Sequence, residues 1–442
     1  MKKSFLAVLF AATAYMAVTV FVAFNAGGTI DAALKQAFAE SPTLRFSPKG
    51  SSIGIFSSSY TYNLGFSTQP NGPEAPALTV TFDVAHGPIP FAAGSFSPCA
   101  AVVNTRFSLA KNTPEAARAA LEQVPELLNT KLRAEAGFGG SLDILLTVPP
   151  LFRDTPQRQE FQGAKVSVLT DTCFSSHTTK ADIPLISLQD DSYTFLLKGL
   201  TIRSDAVKLR PYVWHGESTL KLAGLALSTK DTTPPRSFTL ENLAVPGKTV
   251  LHGPTIDASF SLSGVTSVNN SAPLPLFFST TLYNLDLDGF SQLYGLLQRE
   301  YGGGGDAVRP YVDEVRKTYD LLLARSPRVE IEMKALAGTP NEIAFKGEAS
   351  APELKSVPPT PQEALAQLRA KADLSAQEQG LVILVDTFSS PEEKESQVQQ
   401  QQLQTALQQL TEKGFLTRDG SSIKASAVWD GKALMVNGKL VQ

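Results

Sequence analysis

Few residue types in this chain could carry chemistry. The sequence holds four histidines, His86, His177, His215 and His252, and two cysteines, Cys99 and Cys173. Asp83 and His86 stand three apart in a strand-like segment, a spacing that points them to opposite faces, so they do not converge on a metal. A zinc site needs three or four converging donors, and neither C-x-x-C nor H-E-x-x-H occurs. Serines are plentiful, yet none lies in G-x-S-x-G. The run Gly302 to Gly305 lacks the Lys-Ser/Thr that completes a phosphate-binding loop. These residues therefore assign no catalytic group, no metal ligand and no cofactor.

One motif is duplicated: His86-Gly87-Pro88 and His252-Gly253-Pro254. Proline fixes φ and has no amide donor, glycine admits turns closed to other residues, and histidine can bond a backbone carbonyl. Together they predict a turn that ends a strand. Contact with a ligand is the alternative role for His86.

The elements that position these residues are mostly strands. Val80, Phe82 and Val84 alternate with Thr79, Thr81 and Asp83, and Val166 with Val168 and Ile256 through Leu262 keep the same period of two. Leu368, Ala370, Ala372 and Leu374 alternate with Arg369, Lys371 and Asp373. This is the pattern of half-buried antiparallel strands. The sequence apolar-x-apolar-x-glycine recurs at Gly199, Gly224, Gly264, Gly347 and Gly438, and beyond Gly199 and Gly224 the apolar phase slips by one residue. A β-bulge has that effect, so long strands and a curved sheet are expected.

Helices interrupt the sheet. Thr113-Pro114 reads as a cap before the stripe Ala117, Leu121, Val124, Leu128 and Leu132, kinked at Pro125. Further helices are predicted near Phe290 to Arg299, from Asp306 to Arg325, and after the capping boxes Ser375 to Glu378 and Ser390 to Glu393. The last of these turns Leu403, Ala406, Leu407 and Leu410 to the core. Asp430-Gly431 predicts the turn of a closing hairpin.

The chain has 442 residues, 43% apolar and only 18% charged, below the ~25% of ordinary soluble domains. Its net charge of −3 with no basic stripe argues against nucleic acid as a partner. Phe5 to Phe24 carries no charge and follows Lys2 and Lys3; as a helix it would span ~30 Å, the hydrocarbon thickness of a bilayer. The positive-inside rule then places the remainder beyond the inner membrane. Residues 1–27 are thus expected as an anchor and 28–442 as an exported region, with a candidate hinge at Pro352 to Pro361. A cleaved signal peptide is the competing reading, disfavoured by the length of the run and the lack of a small-x-small site. Export would permit a disulfide between Cys99 and Cys173, closing a loop of roughly 75 residues worth ~4 kcal/mol. Two separate thiols read the same in sequence.

Four places carry a family resemblance: Lys2-Lys3 with Gly28-Thr29-Ile30-Asp31; Gly54-Ile55-Phe56-Ser57-Ser58; His86-Gly87-Pro88-Ile89-Pro90; and the closing Leu434, Val436 and Asn437-Gly438. In these the chain resembles the YdgA-like family of Gram-negative envelope proteins, whose function is unknown. Between about residues 95 and 360 the likeness is one of pattern. The resemblance implies location and architecture and transfers no catalytic residue.

The expected fold class is α+β, an N-terminal transmembrane helix followed by a long, curved, mostly antiparallel sheet with several helices packed on its concave side. The expected function is a non-enzymatic periplasmic module that binds a lipid or other hydrophobic envelope component in an apolar groove, for which 25 phenylalanines supply lining. A scaffold acting as a homodimer or through a protein partner is the alternative, and an enzyme with a site near His86 is the third.

Overall fold

Alternating segments separated by glycine, proline and short polar turns fold as an antiparallel meander. In this computed structural model the described residues are 16, 19, 20, 22, 26–32, 34, 44–66, 75–154, 157–231, 236–269, 271–302, 309–352, 356, 358, 360–388 and 397–441. Strands β1 (Leu44–Ile53), β2 (Ser57–Phe66), β3 (Ala75–His86), β4 (Ala101–Leu109), β5 (Lys131–Ala136) and β6 (Ser141–Val148) pair in order. The short hairpin β7 (Leu151–Arg153) and β8 (Arg158–Phe161) continues the pair that β6 makes with β9 (Ala164–Asp171). Six long strands follow: β10 (Ser176–Gln189), β11 (Tyr193–Arg210), β12 (Val213–Thr229), β13 (Arg236–His252), β14 (Thr255–Val268) and β15 (Leu274–Asp286). The meander ends in β16 (Arg328–Ala335), β17 (Ile343–Ser350), β18 (Arg369–Gln377), β19 (Thr417–Asp419), β20 (Ser422–Trp429), β21 (Leu434–Val436) and β22 (Lys439–Val441). Among the described residues all belong to one 22-stranded sheet, and β17 pairs β18 along its whole length, across the proline-rich segment expected as a hinge.

The glycine pattern has a joint explanation. The pairing registers place Gly163, Pro184, Gly199, Ala223, Asn242 and Gly264 in one row across the sheet. Gly163, Gly199 and Asn242 take left-handed backbone, with φ of 86°, 62° and 53°. Apolar parity slips at this row in several strands at once: Ile183 to Ile186, Leu197 to Leu200, Leu222 to Leu225, Leu240 to Leu243. Because adjacent strands slip together, the register from β10 to β13 shows no break there. The bulges expected at Gly199 and Gly224 are thus corrected: neither strand gains an extra residue there, and the left-handed backbone at Gly163, Gly199 and Asn242, set at one level of the sheet, accompanies the return of the apolar residues on both sides of the crease to a common face. Gly347 and Gly438 lie elsewhere, the latter in the turn between β21 and β22.

Several expectations are corrected. Among the described residues no helix is long and apolar enough to cross a membrane, so the N-terminal transmembrane helix leaves the fold class. Most of Phe5 to Phe24 lies outside the described residues, as does the capping box at Ser390. Val22, near the end of that apolar run, and Ala26 just beyond it pack with Ile30 and Leu34 on Tyr60, Tyr62, Val80 and Phe82, and Ala26 is buried there. The stripe drawn through Leu132 breaks at Pro125: an α-helix covers Glu115–Glu122, a 3-10 turn Pro125–Asn129, and Leu132 is in β5. Proline lacks the amide that would continue the ladder, and here it ends the helix rather than kinking it. Ser375 belongs to β18, and the following helix begins at Glu378. In the helix Gln397–Glu412, Leu407 is buried whereas Ala406 and Leu410 are exposed.

At the crease, a Cβ on Gly163 would lie 2.7 Å from the Val148 carbonyl oxygen. Gly163→Val combines that clash with a left-handed φ and should cost about 2 kcal/mol or more. At Gly224, where nothing lies within 4 Å of the added carbon, alanine should leave stability level or raise it by about 0.5 kcal/mol. Urea midpoints at constant slope compare the two.

Candidate functional site

The two motifs singled out in sequence meet at one corner of the sheet. His86 ends β3, and its Nε2 lies 2.8 Å from Ser58 Oγ on β2, the pair being buried. The His86 amide donates to the Phe56 carbonyl at 2.9 Å, and the Gly54 amide donates to the Ser57 carbonyl, closing the β1–β2 turn. Gly87, at φ 116°, lets the chain leave the strand, and the carbonyl of Pro88 accepts from the Cys99 amide at 3.2 Å. Pro90 is fully buried and precedes the short 3-10 turn Phe91–Ala93. The second copy, at His252, also ends a strand, with Gly253 at φ 63°. Both copies are strand-terminating turns, as the tripeptide predicts.

As a reactive pair, Ser58 and His86 have two of the three parts of an acyl-transfer site. The third is missing among the described residues: His86 Nδ1 is buried without a partner, where a triad would place a carboxylate. Asp83 is engaged elsewhere, by Arg106 at 2.6 Å and Ser59 at 3.1 Å. The described residues hold no group of three His, Cys, Asp or Glu side chains able to take a metal. Cys99 is buried and Cys173 exposed, and they carry thiols rather than a shared disulfide. Burial pushes the Cys99 thiol up, Glu135 adding to the effect and Arg133 opposing it.

A larger feature emerges only from register. Residues directly opposite in an antiparallel pair share a face, so paired residues can be followed from strand to strand. One row reads Leu132, Leu146, Val166, Ala181, Ile202 and Leu220 from β5 to β12. It continues through Val245 and Leu262 to Phe278, Met333, Phe345, Leu374 and Ala425 on β20. The next row on that face passes through Ile144, Val168, Thr179, Ser204, Ser218, Gly247, Phe260 and Ile331, and the one beyond through Leu142, Thr170, His177, Ala206, Thr249, Leu282 and Trp429. Toward the crease, Ile183, Leu200, Leu222, Leu243, Leu276 and Ile343 make a fourth. These four rows contain no charged residue except a histidine. The interleaved rows of the other face carry Arg133, Lys180, Arg203, Glu332, Lys346 and Asp373, and Glu135, Asp205, Glu217, Lys248, Glu330 and Lys371.

Thirteen strands at ~4.8 Å make the apolar face ~58 Å long, and four rows span ~20 Å, on the order of 1,200 Å². Helices meet this face near the strand ends. Leu287, Phe290 and Leu293 of the helix Leu287–Gly302, with Leu322 of the helix Arg309–Leu323, pack on Ile256, Ala258, Leu282 and Leu285. Gly380, in the helix Glu378–Phe388, approaches Ile343 at the other end. Between them Phe260 stays 46% and Met333 43% exposed. Alternation was visible in each strand of the sequence, but the face was not, because the partner of each residue is set by register.

The histidines on this face report on pH. Burial pushes His86 below its ordinary value; it does the same to His177, with Asp205 opposing. His177 Nε2 lies 3.0 Å from Ser204 Oγ, a second histidine–serine pair on the same face. A histidine whose folded pKa is depressed takes up its proton first in the unfolded chain. Its contribution is complete above about pH 6.5 and is lost as pH falls from there toward the folded value. His86→Gln should flatten the decline in urea stability between pH 7.5 and 5.5; a variant that declines as steeply as wild type would assign it to another group.

Comparison with known proteins is narrow. No curated protein and no solved structure matches the chain. The family model described as bacterial protein of unknown function (DUF945) matches residues 1–442, and the chain belongs to this family.

Proposed function

We propose that the protein is a non-enzymatic binding module of the bacterial envelope, holding the acyl chains of a lipid against the uncharged face of its sheet. Within its family we read it as YdgA-like, on the motif from His86 to Pro90. The observation that carries the function is the set of charge-free rows, three of them running through thirteen strands, on which Phe260 and Met333 stay exposed among the described residues. A side chain such as Leu gains about 1.5–3 kcal/mol on full burial, so a face this large gains from an apolar occupant. A peptide is a poorer occupant, since backbone amides laid on the face of a sheet find no ladder to pair with. Ser58 and His86 are read as a structural pin, in keeping with the unpartnered Nδ1.

Organic extracts of the purified chain should yield acyl lipids by mass spectrometry, and the uncharged fluorophore N-phenyl-1-naphthylamine should bind and brighten. Leu220→Arg, in the middle of the face, should weaken that binding at least about tenfold. Lys221→Glu, on the other face, should not change it. A lipid-free chain that forms a stable dimer and leaves the fluorophore dark would instead assign the face to a second copy.

A further inference from the structure

At one end of the sheet, strands β1 to β6 turn through three loops, residues 54–56, 87–100 and 137–140, and none contains a charged residue. They present large apolar side chains to solvent. Ile53, Ile55 and Phe56 stand at the first turn, Phe91 and Phe96 in the second and Phe138 in the third. Each is about half exposed or more, and Phe96 is 80% exposed. The loops are held side by side. The His86 amide donates to the Phe56 carbonyl, and the Ala100 amide to the Ala136 carbonyl at 2.8 Å. Phe91 and Phe96 meet edge to face with centroids 5.7 Å apart.

The opposite end of the sheet differs. Its connections carry Lys111, Asp154, Asp190, Asp191, Lys230 and Asp231. On the apolar end charge returns at Asp171 and Arg210, the latter paired with Asp288, so the charge-free tip is confined to the first three loops. Exposed apolar residues scattered singly are ordinary; six on three adjoining loops, at one end, form a surface that selects its partner. A protein interface surrounds its apolar centre with a polar rim. An anionic headgroup would call for lysine or arginine. These loops supply neither rim nor cation.

We propose that this end of the sheet inserts Ile55, Phe56, Phe91, Phe96 and Phe138 into the hydrocarbon boundary of a lipid bilayer, as a peripheral contact that needs no charged lipid. His86 and Ser58 stand directly behind the loops and fix their relative position, which gives the buried pair a positioning role. The row containing His86, Ala101, Ala136 and Leu142 begins beside the same loops.

Flotation of the full chain with phosphatidylcholine vesicles tests this. Wild type should float equally at low and high salt, and the double variants Ile55→Ser/Phe56→Ser and Phe91→Ser/Phe96→Ser should bind at least about tenfold less. Their melting curves should stay close to wild type, because each replaced side chain is about half exposed or more. Phe96→Trp should gain fluorescence that brominated acyl chains quench. Leu220→Arg should float normally while losing the fluorophore, which separates this proposal from the acyl-binding reading. Tip variants that float like wild type, an unquenched Phe96→Trp, or binding that requires anionic lipid and vanishes in salt would each overturn it.

Discussion

Period-two alternation held in register is the constraint on which the molecule depends. Each strand separately has an apolar and a polar side; the sheet acquires two faces only because Ile202 pairs with Leu220 and Leu220 with Val245, and so on through β20. A slip of one residue in β12 would put Lys221 beside Ile202 and Val245 and break every row at once. Strands of 14 to 18 residues make such slips costly, since each must displace many matched pairs. The crease belongs to the same constraint. Gly163, Gly199 and Asn242 adopt their left-handed geometry at one level of the sheet, so the parity change is shared by neighbours instead of setting strand against strand.

How far this was legible can be judged from particular residues. The strands around Val80 and Ala370, the turn at Asp430-Gly431 and both His-Gly-Pro turns stand where alternation and turn chemistry put them. The phase slip after Gly199 and Gly224 was legible, but its cause was not: read as a β-bulge in single strands, it is a change that adjacent strands share without a break in register, and that depends on which residues pair. The same holds for the site. His86 and Ser58 stood out as members of separate motifs 28 residues apart, and only the β2–β3 register, Ser58 opposite Val84, brings them to one diagonal.

The misreadings share a physical origin. Apolar stripes at helical spacing, and apolar runs near a terminus, do not declare what will cover them. Leu132 extends a helical stripe by count, yet Pro125 stops the helix and Leu132 opens the long apolar row of the sheet. Val22 reads as part of a bilayer span and instead packs, with Ala26 just beyond that run, in the cluster of Tyr60 and Tyr62. There the Tyr62 hydroxyl donates to Asp31 at 2.5 Å, and burial with that bond holds the phenol protonated far above its ordinary range. Tertiary partners decided both cases, and local pattern does not contain them.

Charge in this protein is sorted along two directions. Across the sheet, the polar face alternates sign between neighbours: Lys248 pairs with Glu217, Lys371 with Asp373, and Lys334 and Lys346 flank Glu332. These exposed pairs add little stability. Along the strands, charge gathers at the end bearing Asp190 and Lys230 and is absent from the loops bearing Phe56 and Phe96. The uncharged face and the uncharged end thus adjoin, joined by the row through His86, Ala101, Ala136 and Leu142.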